Sequence, residues 1–188
     1  MKTLLVLIDI QNDYFSNGNM ELSGSIEASL QAGKALKSFR DKGLPVVHVQ
    51  HFSSRPGATF LLPDTQGSEI HKNVNPFPDE TIIQKNFPNS FRDTVLLEHL
   101  KLQNISRLAI CGMMTHMCVD STVRAAFDHG FICTVLSDAC ATRSLTYQDI
   151  EIPAEHVHGA FLAALSQVFA TVSTVDDFLA HMSAGAHS

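Results

Sequence analysis

Residues 106–131, SRLAICGMMTHMCVDSTVRAAFDHGF, change their hydrophobic period half-way along. SRLAICGM (106–113) is an apolar run, the pattern of a strand buried on both faces. THMCVDSTVRAAFDHG (115–130) then places Cys118, Val119, Val123, Ala126 and Phe127 on one helical face. Strand followed directly by helix is the repeating piece of an α/β fold. The cysteine in the first turn of that helix reads either as a nucleophile or as a small buried hydrophobe.

The alternation continues outward. TLLVLIDI (3–10) is a continuous apolar strand, and SIEASLQAGKALKSFRDK (25–42) sets Ile26, Leu30, Gly33, Leu36 and Phe39 at helical spacing before Gly43 and Pro45. PVVHVQHF (45–52) is the next apolar run. The Pro-, Gly- and Ser-rich stretch after it, to about residue 78, is too long for an ordinary connection and reads as a lid or binding loop. TIIQK (81–85) predicts a short strand and DTVLLEHLKLQ (93–103) a helix. FICTVLSDA (131–139) is a strand, 153–169 a helix, ATVSTV (170–175) a strand and 174–182 a closing helix, with the tail SAGAHS (183–188) expected to fray. Strands alternating with helices predict a parallel sheet covered on both faces.

At 188 residues the chain is expected to be one domain, 1–188, able to bury a core without staples. A net charge of -6 and the lack of any basic run argue against a non-specific grip on nucleic acid or an anionic membrane. The apolar N-terminus reaches Asp9 with no small-residue cleavage site, so it reads as a strand rather than a signal peptide. No stretch approaches the roughly 18–20 apolar residues of a membrane span. The four cysteines form no CxxC pair, which points to reduced thiols and a cytoplasmic protein. Cys111, Cys133 and Cys140 lie in or just past apolar strands and read as packing.

In open α/β sheets ligands bind beyond the carboxyl ends of the strands. Asp9 sits near the end of the first strand, Lys85 at the end of the 81–85 strand, and Cys118 just past the strand that ends near Cys111. A helix N-terminus with Thr115 as its cap, and a nearby ammonium, favour a thiolate, and a carboxylate can take the thiol proton and return it to a leaving amine. Taken singly, each residue has a plainer reading: a packed thiol, a turn-forming Asp, a solvated Lys.

Taken together they carry a resemblance. LLVLIDIQNDYF (4–15), IIQKNFPNSFRDTVL (82–96), ICGMMTHMCVDSTVRAAFDHGF (110–131) and VLSDACAT (135–142), in this order and spacing, resemble the isochorismatase-like cysteine hydrolases, which include nicotinamidases, N-carbamoylsarcosine amidohydrolase and ureidoacrylate hydrolases. The resemblance implies a Rossmann-like three-layer sandwich, with about six mainly parallel strands and helices on both faces. It implies a triad of Asp9, Lys85 and Cys118, and a non-proline cis peptide between Met113 and Met114. The backbone N–H groups of Met114 and Cys118 then hold the oxyanion, although a Thr115 cap on Cys118 N–H competes for that donor. Gln11 falls where the family braces its triad; Ser90 and Phe91 keep the family pattern and Asn86 departs from it. Candidate substrate contacts are Gln11, Thr115 and His116 near the triad, and Phe15 and Phe60 because they lie in loops.

Nicotinamidases of this family bind a divalent metal through an Asp-x-His pair after the second strand. Here Gln50 and Phe52 align with that pair, so no metal and no cofactor are expected. His48, His51 and His71 read as surface or hydrogen-bonded histidines, since 48 and 51 point to opposite faces of a strand. Isochorismatases proper, which cleave an enol ether, lack the cysteine, so Cys118 favours hydrolysis of a small amide, ureido or carbamoyl substrate. Ether cleavage, and a non-catalytic binding protein on the same fold, stay open as alternatives. The resemblance also implies a homodimer or homotetramer.

Overall fold

Leu4 to Ile8 are almost completely buried, as a strand covered on both faces must be. They belong to β1 (Lys2–Ile8), which leads through α1 (Ser25–Asp41) to β2 (Val46–His51), and then through the long loop to β3 (Thr81–Lys85). The chain continues with α2 (Leu96–Leu102), β4 (Ile105–Met113), α3 (Asp120–Asp128), β5 (Ile132–Ala141), the hairpin of β6 (Leu145–Tyr147) and β7 (Ile150–Ile152), α4 (Ala154–Ser166), β8 (Thr171–Ser173) and α5 (Val175–Ala184). This computed structural model describes residues 2–184, with side chains to 182, so the tail expected to fray lies largely outside the described residues.

Six strands form one all-parallel sheet in the order β3-β2-β1-β4-β5-β8. The chain moves outward from β1 to β3, then returns to the other side of β1 and moves outward again. Right-handed crossovers in opposite directions put their helices on opposite faces, which makes the three layers of an α/β sandwich. The gap between β1 and β4 is the switch point where such sheets bind ligands.

α1 buries Ala28, Ala32, Ala35, Leu36 and Phe39. Ile26 and Leu30, expected on that face, are 42% and 59% exposed, because the small alanines define the stripe that approaches the sheet. Phe39 stacks on Phe178 of α5 with ring centroids 6.3 Å apart, and Lys34 pairs with Asp176. In α3 the inward positions are Thr122, Val123 and Ala126, while Phe127 turns outward onto Phe169. The antiparallel hairpin β6–β7 is absent from the sequence reading. Its two-residue turn, Gln148-Asp149, has both φ values positive (49° and 61°), without the glycine that usually marks such a turn.

Candidate active site

Asp9 leaves β1 with φ 51°, in the left-handed region that non-glycine residues rarely occupy. Its N–H still donates to the Val49 carbonyl of β2 at 3.0 Å, so the turn is tied to the sheet edge. Gly112 on β4 makes room for it: φ is +132°, and a Cβ there would lie 2.0 Å from the Ile8 carbonyl oxygen. Where β4 ends, the Met113–Met114 peptide bond is cis.

Lys85 ends β3, two strands from β1, and its side chain spans the end of β2. Nζ donates to Asp9 Oδ2 at 2.6 Å, to Cys118 Sγ at 3.3 Å, and to His51 Nδ1 at 3.0 Å. Three ammonium hydrogens thus meet three acceptors. The Asp9 and Lys85 side chains are both fully buried. Asp9 Oδ1, the oxygen that Lys85 does not hold, is buried without a hydrogen-bond partner among the described residues.

Cys118 lies in a wide turn of π type, Thr115–Val119, which precedes α3. The Met114 carbonyl accepts the N–H groups of Met117 (3.0 Å) and Val119 (3.2 Å), passing over the Cys118 N–H that an α-helix would pair with it. Thr115 does not cap this turn. Its hydroxyl lies 3.3 Å from the Ala141 carbonyl and 2.9 Å from His158 Nδ1, which removes it as a competitor for the Cys118 N–H.

The electrostatics run against a resting thiolate. Burial raises the Cys118 pKa and the Asp9 carboxylate raises it further, while Lys85 opposes both without prevailing. Burial alone would lower the Lys85 pKa, but Asp9 and Cys118 turn the net shift upward, so the ammonium stays charged. For His51, burial and then the Lys85 charge push the pKa down to about 4, leaving a neutral ring. Nδ1 faces a charged donor, so it is the acceptor and the proton resides on Nε2.

Cys118 opens into a hollow of about 270 Å³ lined by Tyr14, His51, Arg55, Phe60, Met114 and other residues of the 53–58 loop. A wider depression of about 780 Å³ around Gln50, Phe52 and Thr65 contains none of the triad, so the smaller one is the candidate site. Of the expected contacts only Phe60 lines it. Phe15 stacks face to face on His71 at 3.6 Å and does not line the hollow. Gln11 is fully buried, with its amide spanning the His51 backbone N–H and carbonyl (2.7 and 2.9 Å) and the Ser68 carbonyl (2.7 Å); it braces the end of β2. Thr115 is buried under Ala141, and His116 is committed to Thr142 Oγ1 at 2.6 Å and to the edge of Phe161.

Comparison with known proteins places the chain in a family. Residues 3–177 match the family model described as the isochorismatase domain. The chain belongs to the isochorismatase family. It is 51% identical over 179 residues to the uncharacterized isochorismatase family protein YddQ of Bacillus subtilis (strain 168), covering 95% of this chain and 99% of that protein. The fold is similar to the crystal structure of an isochorismatase-family protein from Oleispira antarctica, with a TM-score of 0.91, 46% identity, and 95% and 96% of the two chains covered. The streptothricin hydrolase of Streptomyces noursei is 33% identical over 145 residues, 73% of this chain and 54% of that protein.

The metal of the family's nicotinamidase branch can be tested against the residues this isochorismatase-family chain carries. Gln50 donates its amide to the Ser68 carbonyl, and Phe52 has no ligand atom. His48 is paired with Glu80 at 3.0 Å, and His71 accepts the Asn73 N–H. One oxygen of Asp9, one nitrogen of His51 and the Cys118 sulfur do lie within 4.8 Å of one another. The Lys85 ammonium already bonds to all three residues, so a metal there would have to displace a buried cation. The residues do not fit a metal.

Two residues that line the hollow, His51 and Tyr14, are not among the expected substrate contacts, although the sequence placed Tyr14 beside the pocket aromatics and read His51 as a hydrogen-bonded histidine. His51 is the register partner of Lys85 across β2 and β3, a signal that needs the strand pairing to be known. Tyr14 lies in the family-like block but is only 2% exposed, and neither composition nor period marks it.

Proposed function

We propose that the chain is a metal-independent cysteine amidohydrolase that cleaves a C–N bond of a small amide, ureido or carbamoyl compound through a thioester acyl-enzyme. One observation carries this reading: a single buried ammonium holds both the Asp9 carboxylate and the Cys118 sulfur, and leaves one carboxylate oxygen uncommitted. The free Oδ1 takes the Cys118 proton as the sulfur attacks the substrate carbonyl carbon. The carbonyl π electrons move to oxygen, which the Met114 and Cys118 N–H groups hold. The C–N bond then breaks, and Asp9 returns the proton to the departing amine. A water molecule, deprotonated by Asp9, attacks the thioester, and the C–S bond breaks as Cys118 recovers a proton.

The raised Cys118 pKa suits this order of events, because the proton leaves as the carbon–sulfur bond forms rather than beforehand. Lys85 holds Oδ2 in place and stabilises the negative charge that grows on sulfur. Family membership supports hydrolysis, and the streptothricin hydrolase shows by its name that the family acts on more than isochorismate. We further propose a cytoplasmic homodimer or homotetramer. Tyr147 and Ile150 on the hairpin are 68% and 67% exposed, side chains that a second copy would cover.

The test is ammonia release from a panel of primary amides, carbamoyl and ureido compounds, with chelator present, alongside Cys118→Ala. Turnover by the wild type alone is the expected result; equal rates in the variant would remove the nucleophile.

A further inference from the structure

Tyr14 is 2% exposed, yet its hydroxyl makes no hydrogen bond with any described residue. Buried tyrosines ordinarily satisfy that group. The sealed side-chain polar atoms without partners are Asp9 Oδ1 and Gln31 Oε1, so the Tyr14 hydroxyl is not sealed; the space it reaches is the hollow that Tyr14 lines together with Cys118. The ring packs at a tilt against Phe60, which lines the same hollow, with centroids 6.1 Å apart. Burial, and then the nearby Cys118, Asp9 and Asp13, raise its pKa, so the phenol keeps its proton and remains a donor.

The same hollow receives a second donor. His51 Nδ1 is taken by Lys85, which leaves the ring proton on Nε2, and that nitrogen bonds to no described residue. Two uncharged donors held by rigid neighbours, beside a nucleophilic sulfur, are more than catalysis of amide cleavage requires. The scissile carbonyl oxygen is already served by backbone N–H groups. A donor pair with no acceptor among the described residues favours an acceptor in the ligand, because an apolar group seated against it would leave both donors unpaired.

Building on the proposed amidohydrolase reading, we infer that Tyr14 and His51 recognise a second oxygen acceptor on the acyl part of the substrate, so the preferred substrates are amides carrying a keto, ureido or carboxylate oxygen on the first or second atom from the scissile carbonyl rather than plain alkyl amides. Arg55, on the rim of the hollow and in no ion pair with a described residue, adds attraction for a carboxylate.

The probes are matched pairs: pyruvamide against isobutyramide, and malonamate against 3-methylbutanamide. In each pair an oxygen acceptor replaces a methyl-type group of similar size. The readout is the ratio of kcat/KM within each pair, together with the ratio of binding constants measured on Cys118→Ala protein. The wild type is expected to favour the acceptor-bearing member, and Tyr14→Phe to lower the ratio by roughly tenfold or more. His51→Gln, which keeps an acceptor for Lys85 and a donor for the ligand, is expected to retain more of the preference than His51→Ala. A fall for malonamate alone assigns the acceptor as a carboxylate, and a fall for pyruvamide assigns a neutral carbonyl; either supports the pair. A ratio that Tyr14→Phe leaves unchanged, or the absence of any preference in turnover and binding, overturns it. Selective binding without turnover would instead sink the amidohydrolase reading and leave the donor pair standing.

Discussion

Two ionic clusters, one half-buried and one fully buried, share the β2–β3 side of this molecule, and they are built differently. In one, Glu80 accepts Arg40 through both oxygens (2.7 and 2.6 Å), His48 Nε2 at 3.0 Å and the Phe77 N–H at 2.8 Å, while the Arg40 guanidinium lies 3.7 Å over the Phe77 ring. In the other, Lys85 is saturated but Asp9 keeps one bare oxygen, and Cys118 is held as a thiol. Burial raises the Glu80 pKa, but Arg40, Phe77 and His48 together pull it down to about 2. A cluster whose carboxylate oxygens are both hydrogen-bonded holds the fold; one with a bare oxygen left over beside a nucleophile can accept a proton during a reaction.

The sharpest way to break this comparison is Asp9→Asn. It removes the proton acceptor and leaves a buried ammonium facing a neutral amide. Turnover is expected to fall on the order of 10²–10⁴-fold, and urea unfolding to show a loss of about 3–5 kcal/mol. Near-wild-type rates would mean that another base serves Cys118. Glu80→Gln disturbs the other cluster, so stability is expected to fall by about 1–3 kcal/mol while kcat at saturating substrate holds. A drop in kcat as large as that of Asp9→Asn would erase the distinction.

Acid separates the clusters further. The folded-state pKa of Glu80 is depressed from 4.5 to about 2, so its contribution is present above pH 4.5 and is lost as pH falls toward 2. His51 is also depressed, from 6.5 to about 4; its neutral ring contributes above pH 6.5, and that contribution fades toward pH 4. His48 is kept neutral mainly by burial, and Glu80 opposes that shift, so Glu80→Gln also deepens the His48 depression and adds a change below pH 6.5. The stability gap between wild type and Glu80→Gln should therefore close mainly as pH falls from about 4.5 toward 2, and the gap for His51→Gln should change mainly between 6.5 and 4. Coincident windows would show that the two sites titrate as one. The smallest expected effect is that of chelator, which should leave the rate unchanged; loss of activity restored by a divalent ion would place a metal where Lys85 now lies.

Much of this was legible in the sequence, for identifiable reasons. A strand buried on both faces announces itself as TLLVLIDI, and the strand-to-helix step at 106–131 fixes the α/β class, so Asp9, Lys85 and Cys118 could be placed at strand ends before their contacts were known. What stayed hidden depends on neighbours distant in the chain. The wide turn at 115–119 shows no periodicity of its own, yet it leaves the Cys118 N–H unpaired with Met114. The raised thiol pKa reverses the expectation from helix dipole and lysine, because burial and Asp9 outweigh both. Phe15 was placed in the pocket because it lies in a loop, but His71, more than fifty residues later, claims its face.

The most direct test of the account is intact-protein mass spectrometry of wild-type enzyme quenched in acid during turnover of an amide from the panel, followed by peptide mapping. The account predicts a mass increase equal to the acyl group, carried on the peptide containing Cys118 and lost on longer incubation. Steady ammonia release with no adduct on that peptide, or an adduct on another residue, would contradict it.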